Sequence, residues 1–175
     1  SAYATEPFTC LFITNLLGFC DDIDAIALFC KEKNILFIED NCEALGSVYK
    51  EKLLGNYGHA STFSFFVGHH LSTIEGGMVA TDDKELAAML KMVRSHGWTR
   101  NLMEEERSYL RKKHKIPEFY DRYAFYDLAY NLRPTDIQSF IGLTQLSHLN
   151  EMIDRRIKNF RKLSQIYTNS DFLPI

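Results

Sequence analysis

Residues 35–40 read ILFIED, and this apolar run ending in two acidic residues decides the fold. It follows a β-prone run at residues 8–15 and an intervening helical segment, about 23–33, that Asp21 or Asp22 can cap. A strand–helix–strand order with a nearly continuous apolar second strand is typical of a βαβ unit in a parallel sheet covered on both faces. The sequence therefore predicts a three-layer α/β fold, with a mostly parallel sheet flanked by helices.

Polar residues follow this strand directly. Asp40, Asn41 and Glu43 stand at the carboxyl end of a strand that the pattern predicts to be buried. In open α/β sheets, ligands bind outside the carboxyl ends of the strands. We therefore expect these side chains to face a ligand site.

Two more strands and a loop are predicted downstream of this edge. Residues 46–58 carry three glycines and predict a small hairpin or an ordered loop. Residues 61–66 and 77–81 are β-prone, and the loop that joins them carries the adjacent residues His69 and His70. The pattern therefore predicts two imidazole groups between neighbouring strands.

Helices are predicted from three start signals. Asp82 and Asp83 precede a helix that runs to about residue 95. A second helix begins at Pro134, and a third begins at about Glu151. The apolar side chains of the last two helices are expected to pack in the core, and they are Ile137, Phe140, Ile141, Leu143, Leu146, Leu149, Met152, Ile153, Ile157, Phe160 and Leu163.

Composition limits the class of protein. The 175 residues are 46% hydrophobic and carry a formal charge of −3, from 20 basic and 23 acidic side chains. This content supports one core, and the charge provides no field that would gather nucleic acid. No apolar run approaches the roughly 20 residues that cross a bilayer, and no secretory leader precedes the first strand. We therefore expect a cytoplasmic protein with neither nucleic-acid nor membrane partners.

The cysteines and histidines indicate no metal site. Cys10, Cys20, Cys30 and Cys42 form no CxxC pair and are interpreted as reduced core cysteines. Adjacent histidines after an apolar strand more often form a polar turn than a catalytic group. A metal site built on these histidines is disfavoured, since no carboxylate or cysteine stands at a familiar ligand spacing.

Seven short motifs change the interpretation of the histidine pair. They are IEDNCEALG at 38–46, GNYG at 55–58, TFSF at 62–65, EGGMV at 75–79, HGWTR at 96–100, YNLRPTDIQ at 130–138 and IGL at 141–143. No one motif is specific, but their order and spacing resemble the sugar aminotransferase family named after DegT, DnrJ, EryC and StrS. The resemblance implies part of the large domain of a fold-type I transferase that depends on pyridoxal 5'-phosphate.

The family usually has a lysine five positions after the serine that corresponds to Ser64. That lysine holds the cofactor covalently. Here this residue is His69. A minority branch shares the histidine, namely the dehydratases that remove the 3-hydroxyl from nucleotide-linked 4-keto-6-deoxy sugars, and the chain is most similar to those acting on GDP-4-keto-6-deoxy-mannose. Since imidazole cannot hold the aldehyde stably, the resemblance implies non-covalent binding of pyridoxal 5'-phosphate or of its aminated form, pyridoxamine 5'-phosphate.

The resemblance also implies roles for individual residues. His69 is the implied base and acid, because imidazole titrates near neutral pH. Asp40 matches the carboxylate that pairs with the pyridine nitrogen, and Glu43 matches a polar residue close to the ring substituents. Ser64 matches a serine that contacts the cofactor phosphate. Asn131 matches an asparagine that reaches the phosphate of a neighbouring subunit, which implies a homodimer with shared sites.

The implied function is 3-dehydration of a nucleotide-linked 4-keto-6-deoxyhexose in surface polysaccharide synthesis, with glutamate as amino donor. Two alternatives stay open: a sugar-nucleotide aminotransferase of the same family, and a catalytically incomplete binding or dimer-partner subunit. Residues 1–149 are interpreted as a partial cofactor-binding domain, and residues 150–175 as the start of a linker helix toward a missing C-terminal domain. We therefore expect a piece of a longer gene product that is inactive alone.

Overall fold

A four-stranded sheet organises the protein, whose computed structural model describes residues 6–168. Within these residues lie six strands: β1 (Cys10–Thr14), β2 (Leu36–Asp40), β3 (Val48–Tyr49), β4 (Lys52–Leu53), β5 (Ala60–Ser64) and β6 (Gly77–Ala80). The main sheet has the order β1-β2-β5-β6. Its first three strands run parallel, and β6 pairs antiparallel with β5. The predicted mostly parallel sheet is therefore confirmed.

Five α-helices occur in the described residues. They are α1 (Ile23–Glu32), α2 (Lys84–Val93), α3 (Glu104–Lys113), α4 (Asp136–Leu146) and α5 (Leu149–Thr168), and short 3₁₀ helices span Leu16–Gly18 and Glu118–Tyr123. The predicted caps form: Asp22 accepts the Ala25 N–H and Asp83 accepts the N–H groups of Glu85 and Leu86. Such caps satisfy backbone donors that have no partner inside the helix.

The βαβ unit holds the core. Ile35 and Phe37 are 2% and 1% exposed, and they pack in one cluster with Ile23 and Cys30 of α1. Burial of each large apolar side chain stabilises the fold by about 1.5–3 kcal/mol. This packing fixes the position at which β2 ends and its acidic residues begin.

The register of the parallel strands aligns three polar residues. Thr14 of β1 pairs with Asp40 of β2, and Asp40 pairs with Thr62 of β5. Their side chains therefore lie in one row near the carboxyl ends of three adjacent strands. The sheet edge predicted to face a ligand is the edge on which this row stands.

The fully buried Glu39 anchors the segment that follows the hairpin. Strands β3 and β4 pair antiparallel and confirm the predicted hairpin. Beyond them, the Glu39 carboxylate accepts the backbone N–H groups of Gly55, Tyr57 and Gly58, each at 2.7 Å. Three hydrogen bonds satisfy the buried carboxylate and hold this segment beneath the sheet edge.

Burial differs from expectation at two places. Phe12 of the edge strand β1 is 55% exposed, so its face of the sheet is open at that strand within the described residues. The apolar side chains of α4 are also largely exposed, with Ile137 at 71% and Phe140 at 69%. The reason is that α4 turns Gln138 and Gln145 inward, where they bond to the loop between β5 and β6.

On α5, too, apolar side chains expected in the core are exposed: Ile157, Phe160 and Leu163 lie between 42% and 51%. The cysteine interpretation holds only in part, because Cys30 is buried whereas Cys10 is exposed. All four cysteines are free. Over residues 6–168, no helix is both long and apolar enough to span a bilayer.

Candidate active site

Asp40 is the centre of a hydrogen-bonded group at the end of β2. Its Oδ1 accepts the Thr62 hydroxyl at 3.0 Å and the Cys42 N–H at 3.1 Å. Its Oδ2 accepts the Thr14 hydroxyl at 3.3 Å. Each of the two strands beside β2 thus contributes one hydroxyl, and these bonds fix the direction in which the carboxylate points.

These contacts control the charge of Asp40. Burial by itself raises the pKa of a carboxyl group, because it disfavours the charged form. Here the hydrogen bonds from the Cys42 N–H, Thr62 and Thr14 outweigh burial and lower the pKa of Asp40 below its ordinary value. The site therefore holds a fixed negative charge at neutral pH.

Glu43 lies on the turn after β2 and is held by a backbone donor. Its Oε2 accepts the N–H of Leu17 at 2.9 Å. Leu17 has φ = 55°, in the left-handed region that a leucine rarely adopts. This hydrogen bond therefore connects the loop that follows β1 with the turn that follows β2. Its donor, Leu17, has an unfavourable backbone conformation.

A buried amide pair supports the same edge. Asn15 and Asn41 are 1% and 0% exposed, and the Asn15 side-chain N–H donates to Asn41 Oδ1 at 2.7 Å. Backbone bonds run alongside, from the Asn15 N–H to the Asp40 carbonyl and from the Asn41 N–H to the Thr62 carbonyl. Asn41, expected to face a ligand, instead lies inside the protein and connects two strand ends.

The two histidines have different surroundings. The His69 ring makes an edge contact with Phe66, with 5.7 Å between ring centroids. His70 lines a cleft of about 460 Å³ together with Glu43 and Arg156, whereas His69 does not line this cleft. The Nδ1 atoms of both rings are buried without a hydrogen-bond partner among the described residues. Each ring therefore has one buried nitrogen that makes no hydrogen bond within the described fold.

The environment of His70 affects its charge. Burial is the largest cause that lowers its pKa, and the positive charge of Arg156 acts in the same direction. Glu43 opposes both and raises the pKa, but the net direction is downward. At neutral pH, therefore, His70 is a neutral imidazole.

Ser64 and Asn131 occupy two other positions. Ser64 ends β5, and its Oγ accepts the Phe66 N–H at 3.1 Å, at the start of the histidine loop. Asn131 pairs with Ser95 through a backbone bridge, and its Oδ1 accepts from Arg133. Ser64 therefore lies at the start of the histidine loop, whereas no described hydrogen bond connects Asn131 with Asp40, Glu43 or Ser64.

Several residues of the site were missed from the sequence. Thr14 and Thr62 orient Asp40, yet single threonines on strands carry no signal until the strand register is known. Arg156 lines the same cleft as His70 from α5, more than 80 residues along the chain, a separation that carries no local signal. In residues 6–168, no group of three or more His, Cys, Asp or Glu side chains stands where it could hold a metal ion.

Comparison with protein families gives one match that spans nearly the whole chain. The family model for the DegT/DnrJ/EryC1/StrS aminotransferase family matches residues 4–172. The GDP-4-keto-6-deoxy-D-mannose 3-dehydratase of Yersinia pseudotuberculosis is 38% identical over 171 residues, which cover 98% of this chain and 43% of that protein. The chain thus spans less than half the length of this relative.

Solved structures agree with this match. The Escherichia coli GDP-4-keto-6-deoxy-D-mannose-3-dehydratase with bound hydrated PLP superposes with a TM-score of 0.83 and 31% identity, over 97% of this chain and 43% of that chain. A structure of GDP-4-keto-6-deoxymannose-3-dehydratase with a trapped PLP-glutamate geminal diamine gives a TM-score of 0.82 and 31% identity, over 96% and 43%. The fold expected from the sequence motifs is therefore confirmed.

Proposed function

The chain belongs to the DegT/DnrJ/EryC1/StrS aminotransferase family, and from this premise we propose that it is the part of a sugar 3-dehydratase that carries the catalytic histidine. The substrate is a nucleotide-linked 4-keto-6-deoxyhexose, and the cofactor is pyridoxal 5'-phosphate in its aminated form. The observation that carries the proposal is His69 in the position where the family usually has its cofactor lysine. The likeness to GDP-4-keto-6-deoxy-D-mannose 3-dehydratases supports GDP as the nucleotide.

The geometry of Asp40 fits the proposed cofactor. Its three hydrogen bonds hold it as a carboxylate at the strand end, which suits pairing with a protonated pyridine nitrogen. When bound, the cofactor supplies a ring that withdraws electrons from the reacting carbons. Asp40 would maintain the positive charge of that ring nitrogen, and the bonds from Thr14 and Thr62 fix the direction of its carboxylate.

The histidine loop provides the proton chemistry. An imidazole in place of lysine cannot capture the cofactor covalently, so its nitrogen stays available to accept and return a proton. The buried, unpartnered Nδ1 of His69 supports this role, since no protein donor competes for it among the described residues. His69 would accept a proton at an imidazole nitrogen and would return one to the 3-hydroxyl of the sugar as that group leaves. His70 stays neutral beside it and adds no second charge.

The other assigned residues bind rather than react. We propose that Ser64 contacts the cofactor phosphate, supported by its place at the end of β5 directly before the histidine loop. Glu43 would lie near the substituents of the cofactor ring. The free amino acid glutamate would supply the amino group to the cofactor between turnovers. The exposed position of Asn131 is consistent with a role toward a neighbouring subunit, and so with a homodimer.

The domain assignment belongs to the same proposal. Residues 1–149 form part of a cofactor-binding domain, and α5 leads toward a further domain. The match to less than half the length of the Yersinia pseudotuberculosis dehydratase supports this assignment. The exposed apolar side chains of α4 and α5 are then surfaces for other parts of the complete enzyme.

Incubation of the gene product in its natural length with glutamate, cofactor and GDP-4-keto-6-deoxy-mannose tests the proposal. We expect a 3-deoxy sugar nucleotide and released ammonia, measured by mass spectrometry and an ammonia assay. An amino sugar without ammonia release would make the protein an aminotransferase, and no product of either kind would make it a binding or dimer-partner subunit. Borohydride treatment is the control: a reduced adduct on a lysine would contradict the dehydratase proposal.

A further inference from the structure

Helix α4 holds the histidine loop through the side chain of Gln145. The Gln145 carboxamide oxygen accepts the Ser72 N–H at 3.1 Å, and its NH₂ group donates to the Ser72 carbonyl. One side chain thus satisfies both backbone groups of one loop residue, as a neighbouring strand would. Ser72 stands three residues after His69, within the loop that joins β5 to β6.

A second glutamine binds the same loop two helical turns earlier. The Gln138 NH₂ group donates to the Glu75 carbonyl at 2.7 Å, and its carboxamide oxygen accepts the Thr135 N–H at 2.8 Å in the cap of α4. Residues seven apart lie on one face of a helix. Gln138 and Gln145 therefore bind the loop from one face of α4. Gln138 also connects the loop to the N-terminus of that helix.

Between them, Gly142 allows close approach. A Cβ atom at Gly142 would lie 3.0 Å from Thr73 Cγ2, which is closer than ordinary van der Waals contact. The Thr73 side chain is 7% exposed, and its hydroxyl donates to the Glu75 carbonyl at 2.7 Å. The stripe formed by Gln138, Gly142 and Gln145 therefore contacts the loop closely at its centre. It makes hydrogen bonds to the loop at both ends.

The loop has a conformation that needs such support. Ile74 has φ = 73°, a left-handed conformation that a β-branched residue adopts only at a cost in free energy. Ile74 is also 59% exposed, so burial of its side chain offsets little of that cost. The bonds from Gln138 and Gln145 flank Ile74 and act against relaxation of the loop.

We propose that Gln138, Gly142 and Gln145 are positioning residues that set the direction of the His69 imidazole. The inference rests on the proposed function, because it assigns these residues to the same site. Its physical basis is that catalytic groups act only within narrow limits of distance and angle, and His69 is carried by a loop. The glutamines fix that loop through its backbone.

The test uses Gln145→Met, which keeps the length of the side chain but removes both hydrogen bonds. Amide exchange at Ser72 should rise about five-fold, the factor expected for loss of one net hydrogen bond. The NMR signals of the His69 ring should shift as well. Thr144→Val is the matched control on α4, since its exposed hydroxyl bonds only within the helix, and it should change neither readout.

Activity gives an independent readout. In Gln145→Met we expect kcat to fall about ten-fold or more while KM changes less than about two-fold, because binding groups stay in place and the base moves. Gln138→Met removes the separate bond to the Glu75 carbonyl and should lower kcat in the same direction. It also serves as the second variant if Gln145→Met fails to fold.

Unchanged Ser72 exchange and unchanged His69 signals in Gln145→Met would overturn the inference. Equal losses of activity in Gln145→Met and Thr144→Val would also overturn the inference. The exchange and NMR readouts need no turnover, so they separate this inference from the proposed function. If Ser72 exchange and the His69 ring respond while the wild-type protein forms no product, loop positioning stands and the proposed function fails.

Discussion

The Thr62 hydroxyl donates to Asp40 Oδ1 at 3.0 Å, from one parallel strand to the next. Thr14 approaches the same carboxylate from the strand on the other side. The lowered pKa of Asp40 therefore depends on the Cys42 N–H and on the register of three strands rather than on a salt bridge. This relationship connects the fold directly to the proposed pairing of Asp40 with the cofactor ring.

Thr62→Val removes one of these hydrogen bonds while preserving the shape of the side chain. The pKa of Asp40 should rise toward the ordinary value of about 3.9, and the free energy of unfolding at pH 7 should fall by about 1 kcal/mol. An NMR titration of the Asp40 carboxyl carbon and urea unfolding measure the two effects. Thr144→Val is the control, and an unchanged Asp40 pKa in Thr62→Val would contradict the account.

The sign of the pH dependence follows from the lowered pKa of Asp40. Because the folded-state pKa is below the unfolded value, the stabilisation is fully present above about pH 4 and is lost as pH falls through the folded-state pKa. Asp40→Asn should therefore flatten the dependence of unfolding free energy on pH in this acid range. A curve as steep as that of the wild type would mean that other carboxyl groups are responsible.

Glu39→Gln should weaken the fold more than a surface exchange of the same kind. The amide has one acceptor oxygen and turns its NH₂ group toward the N–H of Gly55 or toward those of Tyr57 and Gly58. Loss of buried bonds of this type should lower the free energy of unfolding by about 3 kcal/mol. Glu32→Gln, exposed at the end of α1, should change it by less than about 0.5 kcal/mol. Urea unfolding measures the free energy of unfolding of both variants. Equal decreases in Glu39→Gln and Glu32→Gln would contradict a special role for Glu39.

Arg156→Gln should raise the pKa of His70, because it removes the positive charge that acts with burial to lower that pKa. Burial persists in the variant, so the pKa should stay below the ordinary value of about 6.5. Arg155→Gln is the matched control on the same helix and should leave His70 unchanged. NMR titration of the His70 ring measures the difference, and identical curves for both variants would show that Arg156 does not act on His70.

The lowered pKa of His70 also predicts a stability change. Since the unfolded chain binds this proton more readily, the free energy of unfolding should decrease as pH falls from about 6.5 to the folded-state pKa. This contribution should be smaller in Arg156→Gln than in the wild type. Unfolding curves between pH 7 and pH 5 measure it, and a larger contribution in the variant would contradict the assigned sign.

The sequence predicted those parts of the fold that local patterns encode. The βαβ unit, the hairpin and the Asp22 and Asp83 caps all follow from apolar periodicity and capping residues within a few positions of each other. The orientation of α4 did not follow. Its apolar residues suggested a core face, but hydrogen bonds from Gln138 and Gln145 to a loop some 60 to 70 residues earlier decided which side faces the protein.

The same limit applies to the site. Asp40 and Glu43 were found because they follow directly on a buried strand, and the histidine pair because of the motifs around it. Thr62 and Arg156 were missed, because each meets its partner only through strand register or helix packing. Whether His69 is the base stays a prediction.

The measurement that tests the central claim most directly is the formation of 3-deoxy product by the wild type and by His69→Lys, in the gene product of natural length. We expect the wild type to form product and to show no covalent attachment of pyridoxal phosphate after borohydride reduction. His69→Lys should gain that attachment at position 69 and lose dehydration. Dehydration at the wild-type rate in His69→Lys would contradict the claim, because another residue would then be the base.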